Sequence, residues 1–147
     1  MPTAILVPPG RAMAAGSRLA VAFLAIGLAV PFVVASRLSP EPGGLATHQQ
    51  LGLPPCTARV WFGIRCPACG MTTAWAHFVR GRWDRSLNCN TGGFLLACLA
   101  SLSVAVFAVA AWVARWPSVR VQSYLAYGVI ATGGVTLADW MVRLAWF

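Results

Sequence analysis

The stretch GFLLACLASLSVAVFAVAAWVA, residues 93–114, contains no charged residue and only two hydroxyls, Ser101 and Ser103. A run of that length and character is long enough to cross a bilayer as one helix. Both serines can bond back to helix carbonyls, and Trp112 and Trp116 mark the far interface. The rest of the chain is consistent with that reading. Hydrophobic residues make up 59% of it and charged residues 10%, too apolar for an ordinary soluble domain.

Two further spans are expected, at about 19–36 and 121–142. The first is an apolar run from Leu19 to Ser36 between Arg18 and Arg37, with Pro31 placed to kink its last turns. Val33-Val34-Ala35 loosely resembles a cleavage site, but the run is longer than a signal-peptide core, so a retained span is favoured. In the second, Tyr124, Gly128, Thr132, Thr136, Asp139 and Arg143 recur every three or four residues, a small and polar stripe of the kind that faces other helices. Asp139 and Arg143 are one turn apart near the helix end and read as an anchoring ion pair. Gly92-Gly93 and Gly133-Gly134 read as close helix-packing points. Residues 1–17 read as a disordered lead-in, and 18–147 as one all-α integral membrane domain with three transmembrane helices.

The cysteine-containing connection 37–92 carries the chemistry. Leu38 to Pro55 is rich in proline and glycine and reads as a loop, with His48 alone in it. Met71 to Arg80 reads as a short amphipathic interfacial helix, with Met71, Trp75 and Phe78 on one face and Thr73, His77 and Arg80 on another. Gly81 ends it, Arg82-Trp83-Asp84-Arg85 forms a charged collar, and Asn90 caps the next helix. Between loop and helix lies Cys66-Pro67-Ala68-Cys69-Gly70, with Cys56 ten residues upstream. A turn brings both thiols of a Cys-x-x-Cys pair to one side, where they can meet at a metal ion or as a disulfide.

A structural zinc site takes four ligands. Cys56, Cys66 and Cys69 supply three, and His77 or Cys89 is the tentative fourth. His77 fits poorly, since eight residues of helix place it about 12 Å from Cys69. Cys98, inside the second span, reads as a small buried core residue. The same Cys66–Cys69 pair is also a thiol–disulfide exchange motif, although there the first thiol normally opens the helix. Other catalytic arrangements are thin: there is no carboxylate pair and no phosphate-cradling glycine loop.

All eleven basic residues are arginines, and the net charge is +8. Most of them flank apolar runs, which suits anionic lipid headgroups rather than nucleic acid. Three spans put Arg37, Arg59, Arg65, Arg80, Arg82, Arg85 and Arg143 on the side of the cysteine loop, and Arg11, Arg18, Arg115 and Arg120 on the other. The positive-inside rule then favours a cytoplasmic cysteine loop, where thiols stay reduced.

Cys56 to Gly93 resembles a bacterial family of small membrane proteins known as domain of unknown function 2752. The resemblance rests on the lone Cys56, on Cys66-Pro67-Ala68-Cys69-Gly70-Met71-Thr72 with Ala74, on Arg80-Gly81, and on Asn90 with Gly93. Thr73 stands where the family usually has arginine, and Thr91 where it has proline. The resemblance implies a multi-pass protein and brings no activity with it. The leading expectation is a scaffold or accessory protein of the bacterial inner membrane, stabilised by a structural thiol or zinc cluster. Its partners would be the lipid bilayer and other membrane proteins. The alternative is an enzyme, a membrane thiol–disulfide oxidoreductase using Cys66 and Cys69, with an unknown substrate.

Overall fold

In the computed structural model, which describes residues 11–145, six α-helices follow one another with no strand among the described residues. They are α1 (Ala15–Arg37), α2 (Thr57–Phe62), α3 (Met71–Phe78), α4 (Trp83–Cys89), α5 (Thr91–Val113) and α6 (Val119–Ala145). A single 3-10 turn, Thr47–Leu51, lies in the loop after α1. Three of the helices, α1, α5 and α6, are long and apolar enough to cross a membrane.

The long helices form a row with α5 in the middle. α1 and α6 each pack on α5 rather than on one another. The α1–α5 contact is built from small residues that let the backbones approach: Val21, Ala110 and Ala111 are buried together, with Met13, Ala22 and Phe107 around them. The α5–α6 contact depends on two glycines. A Cβ on Gly92 would overlap the Thr136 side chain, and one on Gly128 would sit 2.9 Å from Leu99 Cδ1. Thr136 satisfies its own hydroxyl on the Thr132 carbonyl at 2.7 Å. Gly93 is less tightly enclosed, with Met71 Cγ 3.2 Å and Ala74 Cβ 3.3 Å from where its Cβ would stand.

Some expectations need correction. Gly133 and Gly134 have nothing within 4 Å of a Cβ and face outward, because the contact stripe of α6 passes through Thr132 and Thr136 instead. Tyr124 is also outside that stripe at 71% exposure; Leu125, one residue on, takes the inward position. Cys98 is exposed, since the faces of α5 that meet neighbours carry Ala97 and Ala100. Residues 1–10 of the expected lead-in lie outside the described residues. Residues 11–17 are tied down, for Met13 N–H donates to the Ala114 carbonyl at 2.9 Å and α1 has already begun at Ala15.

The end of the bundle opposite the cysteines is closed by backbone. Ala12 and Arg115 form an isolated antiparallel bridge, and Trp116 N–H donates to the Arg11 carbonyl at 3.1 Å. Arg18 Nε donates to the Ala111 carbonyl at 2.8 Å, near the C-terminus of α5, where a cation is favoured. The other end is closed by everything between α1 and α5.

Candidate functional site: a three-thiol cap

The cap begins where α1 stops. Arg80, just after α3, reaches back with Nη1 to the Ala35 carbonyl at 3.2 Å and with Nη2 to the Ser36 carbonyl at 3.1 Å. The last turn of α1 thereby finds partners for carbonyls that the helix itself cannot satisfy. Trp75 and Phe78 pack against Phe32 of α1, with ring centroids 4.8 and 6.2 Å away, and Phe78 meets Phe94 of α5 at 5.7 Å. The aromatic face of α3 thus rests on the long helices.

The opposite, polar face of α3 is the more deeply buried one. Thr73 is fully buried, and its hydroxyl lies 2.8 Å from that of Thr47, itself fully buried in the 3-10 turn. Thr47 Oγ1 also accepts the Glu41 N–H at 3.1 Å. Ser86 of α4 is fully buried and donates to the Ala74 carbonyl at 2.7 Å. The hydroxyls in the core of the cap are therefore paired, as burial requires, whereas Trp75 Nε1 and His77 Nδ1 are buried without a hydrogen-bond partner.

Asn90 joins the cap to α5. Its Oδ1 accepts from Gly93 N–H at 2.6 Å, the expected N-cap. Its Nδ2 donates to the Pro67 and Cys69 carbonyls, both at 3.0 Å. One side chain thus starts a long helix and holds the backbone of the Cys-x-x-Cys turn. Gly70 follows at φ +85°, and a Cβ there would sit 2.7 Å from the Cys89 carbonyl oxygen and 2.9 Å from that of Gly44. Only glycine suits both the conformation and the space. From the other side, Trp140 of α6 donates its indole N–H to the Arg65 carbonyl at 2.6 Å, one residue before Cys66.

These restraints bring three sulfurs together. Cys66 Sγ lies 3.3 Å from Cys69 Sγ, which lies 3.4 Å from Cys56 Sγ, and all three fall within 4.8 Å of one another. A disulfide would require about 2.05 Å. Four thiolates held around one zinc by bonds of about 2.3 Å stand about 3.5–4 Å apart, so the trio needs little adjustment to share an ion. The thiols differ from one another. Hydrogen bonding from the Arg59 backbone, with help from the other two thiols and against some desolvation, brings Cys56 down from 9.0 to about 7. Burial, then the neighbouring Cys66 and Cys56 thiols, push Cys69 up to about 12. Cys56 is thus more acidic than Cys69, which donates to it.

The trio opens onto a cleft of about 660 Å³ whose lining includes His48, Gln49, Arg59 and Met71. His48, which the sequence placed alone in a loop, stands at this cleft with Nε2 3.2 Å from the Pro54 carbonyl. The tentative fourth ligands lie elsewhere. His77 and Cys89 are outside the sulfur group and both line a second cleft of about 530 Å³. His77 is on the face of α3 that looks toward α4, and Cys89 is held by the end of α4. Arg143 Nη1 caps the α4 terminus through the Asn88 and Cys89 carbonyls, both at 3.3 Å. The same guanidinium pairs with Asp139, Nε to Oδ2 2.8 Å, as the spacing predicted. Among residues that sequence reasoning passed over, Thr47, Ser86 and Trp140 have no local signature, because each matters only through a partner far along the chain.

Residues 56–113 match the model of the family described as protein of unknown function (DUF2752), the family the cysteine pattern resembles. No curated protein and no solved structure matches the chain.

Proposed function

Starting from the family match over the cap and α5, we propose that this chain is a multi-pass membrane protein whose cysteine connection is a metal-stabilised cap, with zinc the metal its thiols suit. The observation that carries the reading is the convergence of Cys56, Cys66 and Cys69 to sulfur separations of 3.3 and 3.4 Å. Thiolate ligands favour zinc in a reducing compartment, and a cap with a small polar core gains much from a cross-link of this kind. The role is that of a scaffold or accessory protein. The three long apolar helices lie in the bacterial inner membrane. The cap faces the cytoplasm, the side its seven arginines favour over the four at the other end.

Metal analysis and thiol alkylation of the purified chain test the reading together. The expected result is one zinc per chain, protection of the three thiols, and loss of both in the Cys66→Ser, Cys69→Ser double variant. A chain that carries no zinc when purified with metal supplied, and whose double variant melts like the wild type, removes the metal cap.

The second reading is a thiol–disulfide oxidoreductase using Cys66 and Cys69. The 3.3 Å separation of their sulfurs and the open cleft beside them favour it. Against it stands the order of acidities, because the lowered thiol is Cys56, outside the pair, while Cys69 is held protonated. A reversible Cys66–Cys69 disulfide with a potential near those of known exchange proteins would favour the enzyme over the metal cap.

A further inference from the structure

The second cleft is distinct from the thiol site. Its walls are the Pro40–Leu45 loop, the C-terminal half of α3 and the outer face of α4, and its lining includes Arg65, His77, Arg82, Arg85 and Cys89. His77 is 7% exposed, and its Nδ1 is buried with no hydrogen-bond partner. A buried nitrogen left unpaired beside a cleft costs free energy in the empty protein and marks a place for a partner. Burial first, then Arg82, Arg85 and Arg80, and against Asp84, hold the imidazole below its ordinary value of 6.5.

The arginines around it are not equivalent. Arg80 is engaged by the carbonyls of Ala35, Ser36 and Ala76. Arg82 and Arg85 are exposed, and their guanidinium groups make no hydrogen bond or ion pair among the described residues. The nearby acids do little to offset them. Asp84 forms no ion pair among the described residues, and Glu41 lies on the loop with its Oε1 3.5 Å from Gln50 Nε2. Two guanidiniums without a side-chain partner meet at one cleft with an orphaned imidazole nitrogen, which is a donor in one tautomer. Planar arginine forks match phosphate oxygens in particular.

We infer that the cleft between the Pro40–Leu45 loop, α3 and α4 binds a phosphate group, with Arg82 and Arg85 as its cationic rim and His77 as the donor at its floor. The phosphate belongs either to an anionic lipid headgroup or to a soluble phosphate ester. The cap then has two sites, one for the thiols beside the first turn of α3 and one for an anion beside its last turn.

His77 reports its own occupancy. A phosphate beside it offsets the arginine field and raises its pKa, whereas a purely structural histidine would not respond. The chain has two histidines, so the His48→Gln background leaves one imidazole to follow by NMR. The full chain is titrated in detergent with inorganic phosphate, with chloride at matched ionic strength as the screening control. In parallel it is placed in nanodiscs of phosphatidylcholine with and without phosphatidylglycerol. A rise of the His77 pKa with inorganic phosphate supports the site and assigns it to soluble phosphates. A rise with phosphatidylglycerol alone supports it and assigns it to headgroups. In either case Arg82→Gln with Arg85→Gln weakens the response about tenfold or more, and these exposed positions leave the melting temperature unchanged. An unmoved His77 in both arms, an equal response to chloride, or an undiminished response in the double variant overturns the inference.

Discussion

The two ends of α5 solve the same problem with different means. At its C-terminus the chain turns directly into α6, and the exposed carbonyls are met by a few residues: Met13 N–H on Ala114, Arg18 on Ala111, and the Ala12–Arg115 bridge. At its N-terminus residues 38–90 form a cap of three short helices and a 3-10 turn before α5 begins. Both ends satisfy helix termini. Only the capped end accumulates buried threonines and serine, an unpaired imidazole and three converging thiols. The short closure shows how little the fold itself demands. The excess at the capped end is therefore where function is to be sought.

Substitutions at the two ends should separate them. The largest effect is expected from Gly70→Ala, which combines a positive φ with contacts to two carbonyl oxygens under 3 Å. It should cost about 4 kcal/mol and expose the cap thiols, while amides near Met13 and Ala114 keep their protection from hydrogen exchange. Equal loss of protection at both ends would mean that the cap and the bundle form one cooperative unit. Asn90→Ala removes the N-cap of α5 and both donors to the Cys-x-x-Cys turn, for about 3 kcal/mol in thermal unfolding. Asn90→Asp keeps the cap acceptor but turns a carboxylate on the Pro67 and Cys69 carbonyls, so it should loosen the thiols as much as alanine does while sparing the start of α5.

The pH dependence of thiol reactivity comes next. In chelator-treated protein, Cys56, lowered to about 7, is mostly thiolate at pH 8, whereas Cys69, raised to about 12, is almost wholly protonated. Allowing for the weaker nucleophilicity of the more acidic thiol, Cys56 should be alkylated roughly a hundredfold faster, equivalent to about 2.7 kcal/mol. Its rate should fall as pH drops through 7. The linked stability has the same sign: a depressed folded value stabilises above the unfolded 9.0 and is lost as pH falls through 7. Equal rates for the two cysteines would remove the ordering of the trio. The smallest effect belongs to the plain end. Ala114 ends α5 at φ 54°, a conformation that favours glycine, so Ala114→Gly should stabilise the chain by about 1 kcal/mol without altering any thiol.

What could be read from the sequence divides along the same line. The long helices were legible because a bilayer-length apolar run is a local property, and so were Asn90 as a cap and the Asp139–Arg143 pair one turn apart. The meeting of Cys66 and Cys69 followed from their spacing, whereas Cys56 was joined to them by residue type, and its sulfur does lie within 4.8 Å of theirs. The inside of the cap was not legible. Thr73 and His77 resemble a solvent-facing stripe on α3, yet they are buried, because Thr47, which pairs with Thr73, and the Arg82–Arg85 segment beside His77 come from parts of the chain without periodicity. His77 and Cys89 were drawn toward the thiols by residue type, and the geometry sends both to a second cleft beside the last turn of α3. The charged collar proved to be the first turn of α4, and α2 was hidden by its brevity and by its exposed Val60, Trp61 and Phe62.

The indole of Trp140 gives the last helix a grip on the knuckle. Its bond to the Arg65 carbonyl spans 75 positions of chain and ends one residue from Cys66. A tilt or slide of α6 must therefore either pull that peptide along or snap the tether.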